Sequence, residues 1–285
     1  MASGNFGSSW RNSIPPQAKD FLRLLRDKFA VSLMVRLGWR PAGAIPLEAI
    51  YLQGRYGFDE EDQIKADVSV VHRHSMASFE RLASLWLLVR YLDRQQIKGA
   101  LVECGVWKGG AAALMALAHM RSTEAPSREI HLFDSFEGLP QPNPEFDGQQ
   151  AKLLASGSSN GSNGALHPIG QLAAAREDSE ILFKSIGYPQ HLVHYHVGWF
   201  QQTIPAAASK IGDIALLRLA GDWYESTILP LQHLYAKIVR NGAIAVADYG
   251  AFDGSRRAVD EFLKAQSTPI MLHHVDAAGR YWIKP

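Results

Sequence analysis

Two hydrophobic periods run along this chain, and the order in which they alternate predicts most of the fold. Near the start, AKDFLRLLRDKFAVSLMVRLGW carries apolar residues at helical spacing until Gly38 and Pro41 end it. A second helix is expected over SMASFERLASLWLLVRYLDRQQI, with Ser75 or Ser78 as its cap. After Gly99 the pattern changes. The runs ALVECGV, REIHLFDSF, HLVHYHVGWF, IALLRLAG and GAIAVADYG are short, apolar and followed by polar residues, as strands buried on both faces are. Helical stretches such as GGAAALMALAHM and ESTILPLQHLYAKIV separate them. The expected class is α/β, a Rossmann-like, mostly parallel sheet with helices on both faces and N-terminal helices before it. Beyond the helix SRRAVDEFLKAQ, the runs PIMLHHVD and GRYWIKP add an antiparallel C-terminal edge.

One interval, from Pro140 to Glu180, interrupts this order. Its centre, ASGSSNGSNGALHPIG, is rich in glycine, serine and asparagine and has neither period, so a long loop is expected there. It reads equally as a substrate flap or a surface insertion, and His167 lies within it. The expected organisation is a helical extension or lid over 1–69 and a main domain over 70–285 with a flexible insertion about 141–180.

Composition removes several function classes. At 285 residues and 47% hydrophobic, the chain can bury a substantial core. Lys+Arg 29 against Asp+Glu 28 leaves +1, so no global field recommends nucleic acid or an anionic membrane as partner. Cys104 is the single cysteine, which excludes an internal disulfide and a cysteine-rich metal site. The opening MASGNFGSSWRNSIPPQAKD has no apolar h-region and the apolar stretches are interrupted, so a cytoplasmic protein is expected.

The strongest chemical signal is LVECGVWKGGAAALMALAHM. Glu103 lies near the end of a strand, Gly105 opens a tight turn, and Gly109 and Gly110 permit close approach at the next helix. The spacing is neither the dinucleotide G-x-G-x-x-G nor a P-loop. Asp134 ends the following strand, where a carboxylate accepts ribose hydroxyls, and Ser135 stays within reach of the same ligand. Trp199 and Phe200 follow a third strand and offer an aromatic face for stacking or for the core. These features suit any adenosine-containing cofactor, a nicotinamide included.

In the order SMASFERLASL, LVECGVWKGG, LFDSFEGLPQP, GWF with TIP, LRLAGDWYEST, VADYG, SRRAVDEF and RYWIK, residues 70 to 284 resemble the TylF/MycF-like family of macrocin-type sugar O-methyltransferases. The resemblance implies a class I methyltransferase fold, S-adenosylmethionine as cofactor, a small-molecule acceptor and a homodimer. By the same resemblance Glu103, Gly105 and Gly109 surround the methionine portion, Asp134 holds the ribose, and Ser75 and Met76 take the place of the family's Thr-Met pair. One departure concerns metal. Where family members carry LDGD and two adjacent acids, this chain has Ala220-Gly221-Asp222 and Ala247-Asp248. Alanine has no donor atom, so a family-type Mg²⁺ site is not expected, and weak binding is the most that remains.

The acids left, Asp222 and Asp248, are the expected catalytic residues, as base or as positioner of the acceptor hydroxyl. Histidines (His167, His191, His194, His196, His273, His274) are the alternative base, with Tyr224 and Tyr249 as weaker hydrogen-bonding candidates. Arg256 and Arg257 precede Asp260 and Glu261 on one helix, so internal pairing competes with substrate recognition. Two further readings remain open: a repurposed fold catalysing cyclisation or C/N-methylation, and a silent ligand-binding homologue that has lost its acids.

Overall fold

The computed structural model describes residues 60–155 and 168–285. The amphipathic stretch before Gly38 and His167 lie outside the described residues. Helices α1 (Glu61–Val71) and α2 (Phe79–Arg94) come first. They are followed by β1 (Ala100–Cys104), α3 (Gly110–Met120), β2 (Ile130–Asp134), α4 (Gly148–Ala155), α5 (Arg176–Ser185) and β3 (Val193–Val197). The chain continues through α6 (Phe200–Ala208), β4 (Ile214–Leu219), α7 (Tyr224–Leu234), β5 (Ile238–Val246), α8 (Asp253–Lys264), β6 (His273–His274) and β7 (Arg280–Ile283).

The strands form one sheet in the order β3-β2-β1-β4-β5-β7-β6. The first five are parallel to their neighbours, and β7 and β6 close the edge antiparallel, as the terminal runs predict. Alternation sends successive side chains to opposite layers. Leu101, Ile130, Leu132 and Leu216 pack with Trp86 of α2, Leu114 of α3 and Phe183 of α5. Val102, Phe133, Leu217 and Ile244 pack with Ile204 of α6, Leu231 of α7 and Val259 of α8. Ile64, Val68 and Val71 of α1 join the first layer.

Of the two serines proposed to cap α2, Ser78 does so: its Oγ accepts the Arg81 N–H at 3.1 Å. Helix α3 is apolar on nearly all sides and correspondingly buried, as a helix wedged between sheet and neighbour must be. The expected loop from Pro140 to Glu180 needs correction at its ends. Residues Gly148–Ala155 are helical, and Ala151 and Ala155 pack with Leu139, Ile169 and Trp223 in a small separate core. Two alanines four apart are too weak a stripe for periodicity to register. The central residues 156–167 lie outside the described residues.

Candidate active site

Strand order reverses between β1 and β4, and at such a point the loops leaving the two carboxyl ends diverge and leave a crevice. Here the crevice is a cavity of about 350 Å³. Of the predicted residues, Ser75, Met76, Glu103, Gly105, Asp134, Ser135, Trp199, Asp222 and Asp248 all line it, and Ala220 and Ala247 lie in the same wall. Gly109 does not. It N-caps α3 with φ +83°, and a Cβ there would overlap the Ser179 side chain. Gly105, at φ +90°, lets the turn press against the Ala220 carbonyl. Both glycines bring chain close to chain and so set the shape of the turn.

Glu103 is the deepest charged group, with 1% exposure. One carboxylate oxygen accepts from Nη1 of Arg218, its cross-strand neighbour on β4. The other, Oε2, is buried and has no hydrogen-bond partner. Burial outweighs the Arg218 charge and raises the carboxyl to about 7. Asp134 is differently placed. Its Oδ2 accepts the N–H groups of Val106 at 2.6 Å and Trp107 at 2.9 Å, and its Oδ1 accepts that of Phe136 at 2.7 Å. A carboxylate has about four acceptor positions, and backbone N–H groups on either side of the crevice take most of those of Asp134, which so holds the glycine turn. Ser135 Oγ accepts the Glu137 N–H at 3.1 Å, and Ser75 Oγ that of Ala77 at 3.2 Å. Met76, 54% exposed, stands at the rim.

Asp222 and Asp248 meet across the ends of β4 and β5. Asp222 sits in the left-handed region at φ +64°, a cost that the Gly221-Asp222-Trp223 turn sustains because Trp223 is anchored through Nε1 to the Pro140 carbonyl at 2.9 Å. The two carboxyl groups lie close enough for each to shift the other's titration. Burial and then the neighbouring Asp248 charge push Asp222 well above the usual carboxylate range. Asp248 is also raised by burial, against the opposing Arg218 charge, its contact with Asp222 and the Arg81 charge. The two carboxyl groups therefore titrate as a pair, Asp222 being pushed further toward its protonated form. Arg81 Nη1 stands 3.9 Å from Asp248 and donates to the Ala247 carbonyl at 3.2 Å, while its Nε pairs with Asp276 at 3.0 Å.

Arg81, Arg218 and Asp147 escaped the sequence reading. Arg218 left a signal, an arginine inside the buried run IALLRLAG, where a charge requires a partner. Arg81 looks like any helix-surface cation, and Asp147 like any loop acid. Asp147 in fact accepts N–H groups of Tyr224 and Asn143, both at 2.6 Å, which ties the segment beside the cavity to the start of α7.

Other candidates lie elsewhere. Tyr224 and Tyr249 donate to Glu261 at 2.6 Å and Asp260 at 2.8 Å. Arg256 pairs with Asp253 and Arg257 with Glu261, the internal pairing that their spacing allows. None of these, and none of His191, His194, His196, His273 and His274, lines the cavity.

A sheet of this order, with a glycine turn after β1, acids at the ends of β1 and β2 and one crevice between them, defines a class I methyltransferase. The family model for macrocin-O-methyltransferase (TylF) matches residues 48–284, and the chain belongs to that family of S-adenosylmethionine-dependent O-methyltransferases. It is 31% identical over 210 residues, 73% of this chain and 75% of the relative, to a demethyldecarbamoylnovobiocin O-methyltransferase of Streptomyces niveus. A mycinamicin III 3''-O-methyltransferase of Micromonospora griseorubida is 27% identical, with 73% of this chain and 78% of the relative covered. The solved structure of the O-methyltransferase NovP matches with a TM-score of 0.63 at 27% identity, covering 90% of this chain and 99% of that one. Among the described residues no helix is long and apolar enough to cross a membrane.

Proposed function

We propose that this enzyme methylates a hydroxyl of a small natural-product acceptor and that the Asp222–Asp248 pair, with no family-type Mg²⁺ site, manages the hydroxyl proton. The proposal rests on that buried, coupled carboxyl pair standing beside two alanines. The S-adenosylmethionine site fits the residues present: Glu103 Oε2 is a buried acceptor lacking a donor, as an α-ammonium group requires. Asp134 stands in the cavity wall at the end of β2, where a ribose hydroxyl would meet it, and Trp199 supplies a face in the same wall. When bound, S-adenosylmethionine supplies a methyl group on a positively charged sulfur. The acceptor oxygen forms the new C–O bond as the C–S bond breaks, and its proton goes to the Asp248 carboxylate. Asp222, donating to Asp248, keeps the receiving oxygen oriented.

Mg²⁺ fits less well. It asks for near-octahedral oxygen donors. Ala220 and Ala247 provide none, and the guanidinium groups of Arg81 and Arg218 already compensate Asp248. No step is therefore routed through a metal. The acceptor class follows relatives such as the 8-demethyl-8-(2,3-dimethoxy-α-L-rhamnosyl)-tetracenomycin-C 4'-O-methyltransferase of Streptomyces olivaceus. Gln141, Asn143, Asp147 and Leu172 line the cavity, which supports the described ends of the 141–180 segment as part of a substrate flap. A cytoplasmic homodimer completes the proposal, its oligomeric part readable by light scattering.

The decisive experiment is transfer of labelled methyl to a panel of deoxysugar glycosides with and without EDTA. Turnover unchanged by EDTA is expected. Strict Mg²⁺ dependence would refute the proton-pair mechanism, and binding of NAD in place of S-adenosylmethionine would refute the cofactor assignment.

A further inference from the structure

A second concentration of ligating side chains lies apart from the cavity, on the sheet face that packs beneath α6. Strands β2 and β3 run parallel with His131 opposite His194 and Phe133 opposite His196. Because side chains alternate, all four rings stand on one face. His131 stacks on His194 with centroids 4.7 Å apart, and Phe133 on His196 at 4.2 Å. Glu129, just before β2, completes the group. Its Oε2 is 3.3 Å from His131 Nε2, and its Oε1 is 3.8 Å from His194 Nε2. The His194 Nε2 atom is buried and has no hydrogen-bond partner.

We propose that Glu129, His131 and His194 form a binding site for a divalent transition-metal ion of the zinc type. One ligand atom from each lies within 4.8 Å of the others. Around tetrahedral zinc, with bonds of about 2.0–2.1 Å, ligand atoms stand about 3.3–3.4 Å apart, so the site closes when the stacked His131 and His194 rings turn toward the ion and draw the three ligand atoms together. Two imidazoles and one carboxylate favour zinc, cobalt or nickel over the hard cations. Glu129 keeps 52% of its side-chain surface, so its carboxylate is the solvent-facing side of the group.

His131 Nδ1 lies 3.1 Å from His196 Nε2. Through that contact His196 would hold the orientation of a ligating His131 ring. Such a site clamps the edge strand β3 to β2 and takes no part in methyl transfer, because none of its residues lines the cavity.

The test uses the full chain without an affinity tag, stripped with chelator and titrated with Co²⁺ as a spectroscopic stand-in for Zn²⁺. Visible d–d bands saturating at one equivalent, displaced by Zn²⁺, are expected, together with a melting temperature that rises with Zn²⁺. H194Q and E129Q alter partly exposed residues and retain the fold, and each should weaken binding at least tenfold. The double variant of His273 and His274 to glutamine should bind as wild type. Absence of the bands, or equal binding by H194Q and E129Q, overturns the proposal.

Discussion

The two ends of the sheet treat buried charge in opposite ways. At the amino end, Arg128 donates from Nε to Asp93 at 2.8 Å, from Nη1 to the Gly99 carbonyl at 2.7 Å and from Nη2 to that of Ile97 at 2.6 Å. The other Asp93 oxygen meets His119 Nδ1 at 2.9 Å, and Tyr188 donates to the Arg128 carbonyl at 2.7 Å. Burial alone would raise Asp93, but His119 and Arg128 together hold it below the usual value. At the carboxyl end the same kind of pair, Glu103 with Arg218, leaves one oxygen without a donor and the carboxyl raised to about 7. Burial is common to both ends; completion of the partner set is not. A finished network joins loops to the sheet, whereas an unfinished one marks where a ligand completes it.

Breaking the unfinished end should give the largest effect. D248N removes the proton acceptor while keeping a hydrogen bond to Asp222, so turnover should fall by about 10²–10⁴ with cofactor affinity and folding nearly unchanged. A D248N enzyme with wild-type turnover would shift the base elsewhere. Breaking the finished end acts on stability instead. R128M strands Asp93 and two carbonyls, at a cost of about 3–5 kcal/mol in denaturant unfolding, with unaltered S-adenosylmethionine affinity in the folded fraction. Loss of affinity there would deny that the two ends are separate.

E103Q retains an acceptor for Arg218 but loses the charge offered to the ammonium group. Calorimetry should show S-adenosylmethionine binding about 10- to 100-fold weaker, the worth of a hydrogen bond between charged groups. The same residue predicts a pH dependence. Glu103 titrates at about 7 in the fold against an ordinary 4.5, so between these values the native state holds a proton that the unfolded chain has released. Stability of the ligand-free enzyme should fall as pH rises through that window, and fall less in E103Q. Asp222 and Asp248 contribute with the same sign, so some slope persists. Asp93 contributes oppositely, losing stability only as pH drops through its lowered value. The smallest effect belongs to Y224F, which removes a surface hydrogen bond to Glu261 and should leave stability within about 0.5 kcal/mol and turnover unchanged.

What the sequence determined by itself was whatever local period and turn chemistry encode. The apolar runs around Val102, Leu132 and Leu217 predict strands, their alternation with helices predicts a parallel sheet, and the positions of Glu103 and Asp134 at strand ends place them at the crevice. Gly105 was legible because a tight turn after a strand needs a positive φ. The tertiary structure decided what depends on distance between segments far apart in the chain. Arg81 reaches Asp248 across the interval from α2 to β5, and Asp276 shares that guanidinium from the final hairpin. No local pattern records such meetings. The meeting of Asp222 and Asp248, and of the histidines gathered on β2 and β3, likewise arises only when parallel strands bring residues dozens of positions apart together. Periodicity is a property of neighbours, but electrostatics in a buried site is a sum over whatever the fold brings within a few ångströms, and only the folded chain performs that sum.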